Sequence, residues 1–126
     1  MKKLATVLFC LSLVLLPNSA RAESITLFSN LQTSGTFACT DSGGNQTPCD
    51  LYGWNKASFQ VTSAAGSVAT VALQIRNTSS DPWTTVVTVT NPGTNELGYF
   101  GPGLGQAQVV VTWVSGSLTG TLVRSK

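Results

Sequence analysis

No histidine occurs anywhere in these 126 residues. That removes the commonest metal ligand and the commonest acid–base group at neutral pH. Charge is scarce as well, with seven lysines and arginines and five aspartates and glutamates in the whole chain. Nucleic-acid and phosphate recognition need clustered cations that release counterions, and in the sequence these few are scattered. No stretch repeats apolar residues at helical spacing over three turns, and no glycine-rich loop follows a strand and opens a helix. Cysteine is limited to three positions, of which Cys10 falls in the apolar start. The remaining two are too few for a structural zinc site.

What is present begins at the N-terminus. Lys2 and Lys3 precede an apolar run from Leu4 to Leu16, and Pro17-Asn-Ser-Ala-Arg-Ala22 follows. A basic start, a greasy core too short to span a bilayer and an Ala20-x-Ala22 site make residues 1–22 a secretory signal peptide. A single domain over 23–126 is expected after cleavage, secreted or periplasmic, of bacterial type and without membrane insertion. It would keep Lys56, Arg76, Arg124 and Lys126 against Glu23, Asp41, Asp50, Asp81 and Glu96, a formal balance of −1. Cys39 and Cys49 form an even pair in an exported chain and predict one disulfide around a turn-rich loop. The sequons at Asn45 and Asn77 read as plain turns in a bacterial protein.

The chain after the leader reads as strands. Ala57, Phe59 and Val61 alternate with polar residues, and Ala69, Val71, Leu73 and Ile75 alternate with Thr70, Ala72, Gln74 and Arg76. A period of two marks half-buried strands whose odd positions face a core. Trp83–Thr90 is dense in Thr and Val, with Val87 and Val89 on one face and Val86 on the other. Asn91–Gln106 is rich in Gly and Pro and predicts a long loop. Val109, Val111 and Trp113 alternate again, and Ser115-Gly-Ser117 predicts a hairpin into Leu118–Arg124. Short strands also fit Ile25–Phe28 and Thr36–Ala38. The fold class is all-β: an antiparallel β-sandwich, jelly-roll or immunoglobulin-like, or a flattened barrel. Val86 and Val110, on nominally outward faces, form a candidate assembly face.

Catalytic readings fail on chemistry. Asp41-Ser-Gly-Gly44 is similar to the core around the nucleophile of trypsin-like proteases, but that serine needs a histidine to take its proton. Thr40 and Asn45 also depart from the protease pattern. Asp41, Asn45 and Asp50 offer hard oxygens to calcium, yet they lack the spacing and closing bidentate acid of a calcium loop. A hydrolase would need two acids, such as Asp50 and Glu96, to converge in one pocket. No cofactor is expected. The aromatic residues are the better candidates: Tyr52, Trp54 and Asn55 after the disulfide, and Tyr99 and Phe100 in the predicted loop. Exposed rings beside amides are a way to hold sugars.

From Ala57 to Arg124 the chain resembles small β-sandwich domains of phage virions and tail-associated proteins. Ser58-Phe-Gln-Val61 leads into Val71–Arg76, then a polar turn and a tryptophan at Ser79–Trp83, then Val109–Leu118. The resemblance implies a sandwich fold and a structural or adhesive role, and it carries no catalytic residues. The expectation is a secreted, non-enzymatic protein that binds itself or another extracellular protein as part of a surface structure. A small carbohydrate-binding module or lectin is the alternative.

Overall fold

Alternation of apolar and polar residues puts side chains on opposite faces of a strand, and eleven strands follow among the described residues. The computed structural model describes residues 21–100 and 105–126, with the backbone alone at 94–97, 99 and 100. The leader expected over residues 1–22 lies outside the described residues except for Arg21 and Ala22. The strands are β1 (Ala22–Leu31), β2 (Gly35–Phe37), β3 (Cys39–Thr40), β4 (Gln46–Thr47), β5 (Cys49–Asp50) and β6 (Lys56–Ser63). They continue with β7 (Val68–Arg76), β8 (Thr84–Thr90), β9 (Thr94–Phe100), β10 (Gln106–Ser115) and β11 (Leu118–Ser125).

One sheet has the order β1-β11-β6-β9 and the other β2-β10-β7-β8, with β5 also pairing with β10 and β3 with β4. Every pairing is antiparallel. Last strand beside first in one sheet, and last but one beside second in the other, is jelly-roll winding of the two sheets. The sandwich expectation holds, and the winding selects the jelly roll over the immunoglobulin and barrel forms.

The core lies between the sheets. Ala57, Phe59, Val61, Leu118 and Leu122 come from one, and Ala69, Val71, Leu73, Ala107, Val109 and Val111 from the other. These are the positions that the period of two assigns inward. Phe28 packs against Phe37 and Phe59 with centroids 5.1 and 6.2 Å away and tilted planes. The Cys39–Cys49 disulfide is formed, with Cα atoms 4.9 Å apart.

Three expectations need correction. The segment from Asn91 to Gln106 is not one loop, because Thr94–Phe100 pairs along β6 from Thr62 to Lys56. Asn, Glu and Gly are poor strand formers, and there they hide a strand that its neighbour imposes. The predicted terminal hairpin is a crossover, since β10 and β11 belong to different sheets. Their inward residues face each other across the core instead of lying side by side. Gly116, at φ +85°, makes this turn, and a Cβ there would meet Ser67 Oγ at 2.1 Å. The third concerns Val86. Leu73 pairs with Val87 but Gln74 with Thr85, so Val86 is the extra residue of a β-bulge. The bulge turns Val86 to the core side with Val87, and both pack on the core cluster.

Candidate functional site: the charged end of the sandwich

The winding sorts the charges. Arg21 and Glu23 stand at the start of β1, Lys56 starts β6, Arg76 ends β7, and Arg124 and Lys126 end the chain. The ladders Lys56↔Ser125, Glu23↔Arg124, Gln106↔Arg76 and Gln106↔Asp50 place all of these at one end of the sandwich. The β3–β4 hairpin carrying Asp41 follows β2 toward the same end, since Gly35 pairs with Val111 and Phe37 with Val109. At the opposite end, the turns at residues 32–34, 64–67, 91–93 and 116–117 hold no charged residue. The cations that are scattered in the sequence are therefore gathered in space. Single-sequence reading missed them because only the strand register brings them together.

Trp54 is the centre of this end. The residue is 7% exposed, and Arg124 at 4.6 Å and Lys126 at 5.2 Å from the ring centroid lie around it, with Arg21 of the expected leader at 5.9 Å. The indole face attracts cations through its quadrupole. Arg124 is spent on structure. Its Nε and Nη2 donate to Glu23 Oε2 at 3.0 and 2.8 Å, and its Nη1 donates to the Asp50 carbonyl. The ring expected to be offered to a ligand is thus covered by side chains of the chain itself.

Tyr52 is exposed here, 49% accessible, held by its hydroxyl to the Asn77 carbonyl and by its N–H to Asp50 Oδ1. Asn55 is exposed, and its N–H donates to the Ser125 carbonyl. The backbones of Tyr99 and Phe100 arrive opposite Ala57 and Lys56. Tyr52, Trp54, Asn55, Tyr99 and Phe100 are thus brought to one end, though the last two stand on a strand.

Two hollows open at this end. One, of about 280 Å³, lies between β1, the disulfide hairpin and β11; Glu23, Thr40, Thr47, Asp50 and Arg124 line it, with Ile25 and Pro48 as apolar walls. The other, of about 240 Å³, lies beside the β7–β8 turn. Asp41 caps the hairpin: its Oδ1 accepts from the Gly43 and Asn45 N–H groups, both at 2.9 Å. The Asn45 N–H, foremost, holds this carboxyl below its ordinary value. Among the described residues no group of three His, Cys, Asp or Glu side chains could hold a metal. Asp50 pairs with Gln106 in one sheet and Glu96 with Gln60 in the other, so their strands do not bring the two acids together.

Outside this end, Val110 is half-buried on the outer face between Thr36 and Ala72. Val68 and Val114 are 41% and 63% exposed at the uncharged end. No helix among the described residues is long and apolar enough to cross a membrane.

No family model and no curated protein matches the chain in sequence. Among solved structures, the SPBc2 prophage-derived protein YomS overlaps with a TM-score of 0.67 at 9% identity, over 89% of this chain and 99% of that one. A family 29 carbohydrate binding module overlaps at 0.40 with 14% identity, covering 83% and 92% of the two chains. The Yersinia pseudotuberculosis-derived mitogen overlaps at 0.39 with 9% identity, covering 87% and 86%. The last two overlaps are too loose to bear on the fold. The first extends the phage-protein resemblance of residues 57–124 to most of the chain, at the level of the fold.

Proposed function

We propose that the protein works outside the cytoplasm as a non-enzymatic binding protein, a subunit or accessory of an extracellular surface structure, and that it associates along β8 and the uncharged end. The observation that carries this reading is the β8 edge. β8 closes its sheet with no described strand on its outer side, and its seven residues, Thr84–Thr90, carry no charge. Free edges of soluble proteins are ordinarily blunted by charge, proline or bulges, because their unpaired N–H and C=O groups recruit other strands. Here Pro82 precedes the edge and a bulge interrupts it, leaving Val87–Thr90 regular. Val68 lies just beyond the Thr70↔Thr90 pair, which extends the uncharged surface with an exposed apolar side chain. Light scattering of the oxidised protein over a concentration series, with negative-stain images of the same sample, tests the reading. Oligomers or filaments are expected. A monomer at every concentration overturns it.

A second reading, a carbohydrate-binding module, draws on the two polar hollows at the charged end. It shifts the ligand from the Trp54 ring, which is covered, to the clefts beside it. A glycan array answers it directly: specific hits are expected, and their absence ends it.

A further inference from the structure

Arg76 ends β7, Asp81 sits in the turn that follows, and both line the hollow of about 240 Å³, with Ile75, Asn77, Pro82 and Thr84. A guanidinium and a carboxylate on one small hollow could neutralise each other directly, yet here each is anchored elsewhere. The Arg76 guanidinium lies over the Trp83 ring, 4.3 Å from its centroid, and its Nε donates to Gln106 Oε1 at 2.8 Å. Asp81 Oδ2 accepts from the Thr78 N–H at 2.9 Å and from the Thr78 hydroxyl at 3.0 Å. Among the described residues the one ion pair is Glu23–Arg124, so Arg76 and Asp81 line the same hollow without pairing.

The two η nitrogens of Arg76 donate to no described residue. No buried side-chain nitrogen or oxygen among the described residues lacks a partner, so these nitrogens reach solvent. Stacking on an indole uses the face of a guanidinium and leaves its in-plane N–H fork open, the geometry that takes a carboxylate bidentately. Asp81 Oδ1 accepts from no described residue, and Asn77 and Thr84 add neutral polar residues to the lining. The hollow is smaller than drug-sized pockets of roughly 300–1,000 Å³, which suits a single ring-sized unit.

We propose that this hollow binds a sugar acid, with the carboxylate on the Arg76 fork and ring hydroxyls on Asp81, Asn77 and Thr84. The proposal rests on the carbohydrate reading and names its ligand class. Phosphate fits less well, because the Asp81 charge opposes a dianion that one arginine would have to hold. An amino acid would use Asp81 for its ammonium and leave the neutral groups idle.

Calorimetric titration of the oxidised protein with glucuronate, glucose, inorganic phosphate and alanine tests this. Glucuronate is expected to bind with a Kd of about 1 mM, and glucose about tenfold or more weaker. Arg76→Gln should weaken glucuronate about tenfold, whereas Asp81→Asn, which leaves the Trp83 stack in place, should weaken glucuronate while strengthening phosphate. Circular dichroism of both variants confirms that they are folded. Equal binding of glucose and glucuronate, unchanged by Arg76→Gln, overturns the site but leaves the carbohydrate reading standing. Phosphate or alanine binding as tightly as glucuronate overturns the ligand class. Failure of every sugar, together with an empty glycan array, overturns both.

Discussion

Gly120 occupies the middle of β11, beneath two phenylalanines. A Cβ there would come within 2.4 Å of Phe28 Cζ and 2.8 Å of Phe59 Cζ. Phe59 is fully buried and Phe28 nearly so, so neither ring has room to yield. Overpacking a filled core typically costs about 1–3 kcal/mol. Gly120→Ala is therefore expected to lower stability by about that amount, and Gly120→Val by more, as urea denaturation would show. An unchanged midpoint for Gly120→Ala would mean that the rings move freely. Asp41 works at the same scale through protons. Its carboxyl sits below the ordinary 3.8 because the backbone N–H groups of Asn45 and Gly43 hydrogen-bond its charged form, against a smaller desolvation effect that acts the other way. A depressed folded-state pKa means that this contribution is complete above about 3.8 and is lost as pH falls through the lower folded-state value. With no histidine in the chain, stability should stay flat from about pH 5 to 7. Amide chemical shifts of Gly43 and Asn45 should move only below about 3.8, and Asp41→Asn should abolish that movement. A transition at the hairpin near neutral pH would contradict the assignment.

Elements were legible in the sequence where side chains alternate cleanly. The inward residues of β6, β7 and β10 follow directly from the period of two, and Cys39 and Cys49 needed only the even count. The elements that escaped are those whose neighbours decide them. β9 is a strand because β6 offers a free edge to Thr94–Phe100, although Asn95, Glu96 and Gly98 argue against it locally. Val86 looked outward because strict alternation cannot foresee a bulge, and the bulge appears only in the step from Leu73↔Val87 to Gln74↔Thr85. The charged end was invisible for the same reason: Arg76, Asp50, Glu23 and Arg124 are far apart in the chain and meet only through ladder register. Among these elements β8 makes the sharpest prediction. Thr88 is exposed on this edge and pairs with Ala72 on one side alone. A lysine on an edge strand opposes pairing with another strand, whereas surface changes away from special features usually alter stability by less than about 0.5 kcal/mol. Thr88→Lys should therefore reduce self-association in light scattering while leaving the melting midpoint nearly unchanged. Persistent oligomers in the folded variant would place the contact elsewhere.

For the whole molecule, jelly-roll winding makes both sheets depend on the end of the chain. β11 is the last strand, yet it lies between β1 and β6; β10 precedes it and lies between β2 and β7. The start of β1 is held by the same strand, with Glu23 opposite Arg124 and Ile25 opposite Leu122. Neither sheet can close until residues more than seventy positions apart have met, and loop-closure entropy must be met before those pairings stabilise anything. All-β domains of this kind fold in milliseconds to seconds, far more slowly than helical bundles, and stopped-flow refolding of the oxidised protein should fall in that range. The same geometry makes the fold intolerant of losing β11. Without Leu118–Ser125, among the described strands β1 has no partner and β6 keeps only β9, and loss of Leu118 and Leu122 leaves the core exposed to water. Removing an edge strand would trim the sandwich, whereas removing this one divides a sheet. Deleting residues 118–126 should therefore abolish the cooperative thermal transition and amide protection throughout β6 and β10. A shortened chain that still melts cooperatively would show that β1 and β6 can pair directly, and that the order β1-β11-β6-β9 is not what holds the sandwich together.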